Sequence, residues 1–307
     1  MVKAKSALSL LLFSFLFTIG CNEKAPVAKR VIMLGIDGFS LEGYQKAKTP
    51  NIDALFADGV ISTETRTVMP SVTMPNWTSH LTGGGPEQHG VFGNDWEKED
   101  HTIAPQEMDE DGYYPSVFKI VKDNVPNIKT AFYFNWKSLI KPFNKKYLDE
   151  YRFEEDDRYD QNYQAALDFL VSNQDVPTLI FLYSVHVDHA GHGHEWMSPE
   201  FITAIEEIDV KIGEFVNQLK KEGLYEDSNF LLFTDHGGIG KSHGGTSVQE
   251  MIVPWMIKGP EINKAVELKS PNSNANTSAV VAKLFGIADT PESWIANVPS
   301  GIFSGNE

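Results

Sequence analysis

Three short apolar stretches, each running into an acidic residue, most constrain how this chain can fold. Arg30–Ile36 leads directly into Asp37-Gly38. Thr178–Val185 is followed by Asp188, within Val187-Asp188-His189-Ala190-Gly191-His192. Phe230–Thr234 stops at Asp235-His236-Gly237. A short continuous apolar run bounded by such residues reads as a buried strand. Val60–Val68, Thr130–Phe134 and Ile252–Ile257 read as further strands. Between them lie helical stretches: Thr49-Pro50 to about Ala57 with Gly59 as its stop, Pro75–Leu81 ending at Gly83, Tyr163–Leu170, Pro199–Leu219 behind Ser198, and Thr277–Phe285. Strands alternating with helices predict an α/β fold, with a mostly parallel central sheet flanked by helices on both faces. Asn94 to Tyr159 is acidic, aromatic and less regular, and is expected to form a small cap or insertion. No internal repeat or low-complexity tract interrupts the pattern. With 307 residues, 41% of them hydrophobic, one large domain over residues 30–307 is expected.

The N-terminus obeys different rules. Lys3 and Lys5 precede an uncharged run from Ala7 to Ile19, and Gly20-Cys21 follow. That order describes a secretory signal over residues 1–21, too short for a confident membrane span. Cys21 is the only cysteine, so no intramolecular disulfide can form. It stands where a bacterial lipoprotein signal places the residue that is lipidated. The expected product is exported, periplasmic or membrane-anchored, with residues 22–29 as a tether and Cys21 as its only hold on the membrane. A plain signal with an unmodified Cys is the alternative. Removing residues 1–21 takes Lys3 and Lys5 away and leaves 24 basic against 42 acidic residues, a net charge of −18. Such a surface repels nucleic-acid backbones, so long DNA or RNA is an unsuitable partner. A small anionic substrate is compatible if the site itself holds cations.

In open α/β sheets, sites form beyond the carboxyl ends of the strands. The three strand ends offer Asp37, Asp188 and Asp235 with His192 and His236, and His243 follows in Ser242-His243-Gly244-Gly245. Each alone is unremarkable, because an Asp at a strand end is often only a helix cap. Together they form a mixed carboxylate and imidazole set that suits Zn²⁺ and similar ions. Six ligands exceed what one tetrahedral ion takes and suit a pair. Thr73, in Met69-Pro70-Ser71-Val72-Thr73-Met74-Pro75-Asn76-Trp77, falls at a predicted strand-to-helix turn, where helix N–H groups attract an anion. A hydroxyl next to a divalent cation ionises readily and becomes a nucleophile. The plainer reading makes Thr73 the cap of the helix that Pro75 opens.

The order Asp37, Thr73, Asp188-x-x-x-His192, Asp235-His236, His243 resembles the alkaline phosphatase superfamily. Within it, the type I phosphodiesterase/nucleotide pyrophosphatase family is most similar, and the likeness runs from about Arg30 to the C-terminus. It implies an alkaline phosphatase-like fold with two divalent ions, Zn²⁺ being the expected metal. Asp188, His192 and His243 would hold one ion. Asp37, Asp235 and His236 would hold the other, beside Thr73. Asn94, in His89-Gly90-Val91-Phe92-Gly93-Asn94, matches the family's ligand to phosphate oxygens. The implied reaction cleaves phosphodiester or pyrophosphate bonds of small phosphate esters through a phospho-threonine.

Two substrate-side positions depart from the nucleotide-cleaving pattern or are ambiguous within it. Met74 replaces the aromatic residue that commonly follows the nucleophile and stacks on a base. Tyr183 matches a base-contacting position but also reads as core. His186, His189 and His194 match no ligand and read as solvated or supporting residues. Monoesterases of the superfamily generally add an Arg. Here the mature chain has only Arg30, Arg66, Arg152 and Arg158, none in a motif, which favours a diester or pyrophosphate. Sulfatase chemistry needs a different nucleophile. Phosphonoacetate hydrolase or phosphomonoesterase chemistry, or a catalytically silent ligand-binding lipoprotein, are the alternatives.

Overall fold

In the computed structural model, residues 28–305 are described apart from 101 and 156. The signal segment, Cys21 and the tether up to residue 27 lie outside the described residues. In chain order the elements are β1 (Arg30–Ile36), α1 (Leu41–Lys46), α2 (Pro50–Phe56), β2 (Val60–Arg66), α3 (Thr73–Thr82), α4 (Pro86–His89) and α5 (Val117–Asn124). There follow β3 (Lys129–Phe134), β4 (Glu150–Phe153), α6 (Tyr159–Ser172), β5 (Thr178–Ser184), α7 (His186–His194) and α8 (Pro199–Lys221). The chain closes with β6 (Ser228–Phe233), α9 (Val248–Met251), β7 (Ile252–Lys258), β8 (Val266–Glu267) and α10 (Asn276–Leu284).

The eight strands form one sheet in the order β4-β3-β5-β1-β6-β7-β2-β8. Every neighbouring pair is parallel except the two that include β7, which is antiparallel to both β6 and β2. Side chains alternate across the sheet because successive residues of a strand point to opposite faces. Val31, Met33, Phe181 and Phe233 join α3, α5 and α10 on one face. Ile32, Leu34, Ile180 and Leu232 join α2, α6 and α8 on the other. Both faces are therefore covered, which is why β1, β5 and β6 read as unbroken apolar runs.

The central position of β1 sets up the site. It lies between β5 and β6 with Gly35 opposite both Tyr183 and Phe233. The three strands therefore stop level with one another, and the residues after them emerge along one edge. Gly35 is required within its strand, because a Cβ there would lie 2.7 Å from the ring of Phe181 and 2.8 Å from that of Trp77. Its absence lets the Trp77 indole approach the strand closely.

The stretch from Asn94 to Tyr159, within which a cap or insertion is expected, is part loop and part sheet. Its second half supplies α5, β3 and β4, and β3 and β4 form one margin of the sheet. Only the stretch between Asn94 and Ser116 has little regular structure. Among the described residues, no helix is long and apolar enough to cross a membrane.

Candidate active site

Each strand end delivers its acidic residue in a different way. Asp37 follows β1 directly, and its backbone N–H donates to Ser184 O at 3.0 Å, tying the ends of β1 and β5. Gly38 turns the chain with φ +66°, and a Cβ there would press on the Asp188 backbone at 3.0 Å. Gly38 N–H donates to Asp235 Oδ1 at 3.1 Å, and Phe39 N–H donates to Thr234 Oγ1 at 3.0 Å, which ties β1 to β6. Asp188 and His192 project from α7 one turn apart. This segment is helical although Gly191 and Gly193 disfavour a helix. Gly191 is there because the Trp196 indole lies 2.8 Å from where its Cβ would be.

The structure brings the predicted ligands together. Asp188, His192 and His243 present atoms within 4.8 Å of one another, as do Asp37, Asp188 and His236. Asp188 thus stands between the two groups. Its Oδ2 lies 3.5 Å from His192 Nε2 and its Oδ1 lies 3.8 Å from His243 Nε2. Asp235 Oδ2 lies 3.0 Å from His236 Nε2, so the sixth ligand is at hand.

The imidazoles share one arrangement. His192 Nδ1–H donates to Lys241 O at 2.9 Å, His236 Nδ1–H to Gly237 O at 2.8 Å, and His243 Nδ1–H to Ser71 O at 3.1 Å. With each Nδ1 proton held by a backbone carbonyl, all three Nε2 atoms face the carboxylates. This is the outer-shell arrangement that fixes metal-binding histidines. Asp37 Oδ1 and Asp188 Oδ1 are buried without a hydrogen-bond partner. Leaving such atoms unpaired is costly, and divalent cations would satisfy them.

The charges point the same way. Burial pushes the Asp37 carboxyl well above the usual carboxylate range, and Asp235 and Asp188 add to the shift. Burial also raises Asp188. Burial opposes a charge on His236, yet Asp235, Asp37 and Asp188 outweigh it and lift its pKa to about 10. His243, stacked on His236 at 3.6 Å, is lowered to about 4 by burial and by His236. The buried carboxyls of this cup thus favour positive charge at its centre.

Thr73 is the first residue of α3, behind Val72 as N-cap, and its hydroxyl lies 3.2 Å from His236 Nε2. The hydroxyl thus faces the ligand cluster instead of capping its own helix. Asn94 reaches the same helix end, where its Oδ1 accepts the Met74 N–H at 2.9 Å. That leaves the Asn94 amide nitrogen as the group available to an anion.

Two expected substrate contacts are corrected. Met74 is fully buried and packs with Val91 and Trp96. Tyr183 is fully buried, and its hydroxyl donates to Asp37 Oδ2 at 2.5 Å. Neither side chain offers a face to a base. His186 is also not solvated: it is buried, stacked on Tyr159 at 4.3 Å, with its Nε2–H on Ala204 O. His186, His189 and His194 line a cavity of about 650 Å³ that Asp188 and His192 do not line.

Residues 31–251 match the sequence model of the type I phosphodiesterase/nucleotide pyrophosphatase family. The chain belongs to this family. An uncharacterized pyrophosphatase/phosphodiesterase of Schizosaccharomyces pombe is 27% identical over 216 residues, covering 67% of this chain and 44% of the relative. Bis(5'-adenosyl)-triphosphatase ENPP4 of Bos taurus is 26% identical over 246 residues, covering 75% of this chain and 52% of the relative. The chain therefore spans about half the length of these curated relatives. Among solved structures, human ectonucleotide pyrophosphatase/phosphodiesterase 5 has a TM-score of 0.73 at 16% identity, covering 90% of this chain and 100% of that one. An inactive variant of the murine protein in complex with AMP has a TM-score of 0.72 at 14% identity, covering 86% of this chain and 96% of that one. These two show the shared fold.

Several site-building residues of this type I phosphodiesterase/nucleotide pyrophosphatase chain carried no sequence signal. Trp77 Nε1–H donates to Asp37 Oδ2 at 3.1 Å, beside the Tyr183 hydroxyl. Asn76 holds the loop that leads into Thr73: its Nδ2 donates to Val68 O, Pro70 O and Val72 O, and its Oδ1 accepts Val68 N–H. Asn274, beyond the matched residues, bridges Asn76 Oδ1 and Asp235 O. An Asn inside a helix or loop looks like any other until its partners are known.

Proposed function

We propose that this protein is a two-metal hydrolase that cleaves phosphodiester or pyrophosphate bonds of small substrates, with Thr73 as nucleophile. The carrying observation is the Thr73 hydroxyl, set at a helix N-terminus and 3.2 Å from His236 Nε2, facing buried carboxylates that lack partners. Asp188, His192 and His243 would hold one ion, and Asp37, Asp235 and His236 the other. When bound, two Zn²⁺ ions would supply the positive charge that favours an ionised hydroxyl and offsets charge on phosphoryl oxygens.

The chain's own residues do the rest. The Thr73 hydroxyl, once ionised, forms a bond from Oγ to phosphorus as the bond to the leaving oxygen breaks, which gives a phospho-threonine. Water then displaces Thr73 from phosphorus. The N-terminal end of α3 carries the positive pole of a 10-residue helix, and the Asn94 amide donates to a non-bridging oxygen. Trp77 and Tyr183 hold Asp37 from behind.

The arginines support a diester or pyrophosphate over a monoester. Arg30 donates to Gln174 O, at the start of β1 and away from Asp37. Arg152 and Arg158 pair with Glu154. Arg66 lines a surface cavity that none of the site residues lines. No arginine therefore compensates the extra charge of a terminal phosphate. The same reading includes export and a lipid anchor at Cys21, which mass spectrometry of the membrane fraction would test.

The test is a rate comparison on purified, zinc-supplied protein, using bis-p-nitrophenyl phosphate and p-nitrophenyl phosphate. The diester is expected to be cleaved much faster. Thr73→Ala is expected to abolish turnover and to retain the metal. Turnover that survives Thr73→Ala overturns the mechanism, and faster monoester cleavage overturns the substrate class.

A further inference from the structure

Resting on the two-metal reading above, we propose that Glu250 is a positioning residue for the ion that His243 would hold. It acts by bracing the His243 loop against the nucleophile loop. Glu250 is 6% exposed and lies in α9, a helix of four residues. Its Oε1 accepts the Gly245 N–H at 2.7 Å. Its Oε2 accepts the Ser247 N–H at 3.1 Å and the Ser247 hydroxyl at 2.6 Å. Its backbone carbonyl accepts the Gly237 N–H at 3.0 Å, next to His236. One residue thus holds both the segment after His243 and the segment after His236.

The brace extends further. Gly245 O accepts the Ser71 hydroxyl at 2.7 Å, and Ser71 O in turn accepts His243 Nδ1–H at 3.1 Å. Ser71 lies two residues before Thr73. The path from Glu250 through Gly245 and Ser71 to His243 therefore joins the ligand's tautomer and direction to the loop that carries the nucleophile. Gly245 approaches so closely that a Cβ would lie 2.7 Å from Glu250 Oε2.

The bonds to Ser247 form an ordinary helix-capping pair, but the bond to Gly245 reaches outside it. Three donors converge on two oxygens, which a carboxylate can accept. A glutamine would turn an amide N–H₂ toward one of them. Outer-shell residues of metal sites typically alter metal affinity about 10- to 100-fold when replaced.

The experiment is chelator competition with Zn²⁺ on the purified protein and three variants. Wild type is expected to bind two ions. Glu250→Gln is expected to weaken one of them about 10- to 100-fold and to leave the other unchanged. Ser247→Ala, which breaks only the capping pair, is expected to keep both affinities. Ser71→Ala, which cuts the path beyond Gly245, is expected to weaken the same ion as Glu250→Gln and carries the test if Glu250→Gln does not fold. Unchanged affinities in Glu250→Gln and Ser71→Ala, or an equal loss in Ser247→Ala, overturn the proposal. Wild-type protein that binds no zinc overturns the two-metal reading itself, and is seen before any variant is measured.

Discussion

Tyr183→Phe separates two roles for one side chain. The hydroxyl is 2.5 Å from Asp37 Oδ2, and both side chains are fully buried. The phenylalanine ring would keep the edge contact with Trp77 at 5.3 Å and the contact with Phe181 at 6.3 Å. The substitution therefore removes one hydrogen bond and almost no packing. A hydrogen bond to a charged group contributes about 1.5–3 kcal/mol, and about 1.4 kcal/mol is tenfold in an equilibrium constant. Asp37 would still have the Trp77 indole, so its affinity for a metal is expected to fall roughly tenfold to a hundredfold. The assay pairs zinc competition with kcat/KM on two diesters, bis-p-nitrophenyl phosphate and a nucleoside p-nitrophenyl phosphate. A hydroxyl that supports Asp37 lowers both rates by the same factor. A loss confined to the nucleoside substrate, with zinc affinity unchanged, would refute the reasoning and restore Tyr183 as a base contact.

Asn94→Ala is expected to lower kcat about a hundredfold, as loss of one oxyanion donor does, with metal content unchanged by elemental analysis. Chelation is expected to lower the melting temperature by about 5–10 °C, because ions that bind only the fold contribute several kcal/mol at saturation; calorimetry with and without chelator checks this. Burial lowers His80 to about 4 and His89 to about 3. Both stay neutral in the fold, whereas unfolded imidazoles take up a proton near 6.5. Stability is therefore full above about pH 6.5 and falls as pH drops toward 4, by up to ~3 kcal/mol for His80 alone. Urea unfolding of wild type and His80→Gln across that range is expected to show a shallower slope in the variant.

The parts of this protein legible in the sequence were those set by burial. β1, β5 and β6 are covered on both faces, so their apolar runs announced them and the Asp at each end. The proposed metal ligands were placed by where strands stop, and the stops coincide because Gly35 pairs with both Tyr183 and Phe233. What failed depended on packing that no local pattern shows. The helix His186–His194 has poor formers and no apolar period, and is held by Trp196 and α8. β4 adds to the sheet margin by pairing only with β3, leaving Tyr151 exposed. Met74 and Tyr183 occupy positions that resemblance assigns to substrate, while packing turns both inward. No local pattern marks Asn274, whose role exists only through Asn76 and Asp235 on other segments, and the capping spacing of Ser247 and Glu250 does not show the further bond from Gly245.

One reversal of strand direction accounts for much of this geometry. β6 and β7 lie side by side and run oppositely, so the chain passes between them without crossing a face of the sheet. A parallel neighbour would have required a crossover of a dozen or more residues back to the far margin. Here the link from Thr234 to Met251 never leaves the side where Asp37 and Asp188 emerge. One uninterrupted length of chain can therefore offer a carboxylate at Asp235, imidazoles at His236 and His243, and the acidic anchor Glu250. Its outer bend turns back at exposed Lys241, whose carbonyl holds the Nδ1 proton of His192, so the length of this link also sets the direction of an imidazole on α7.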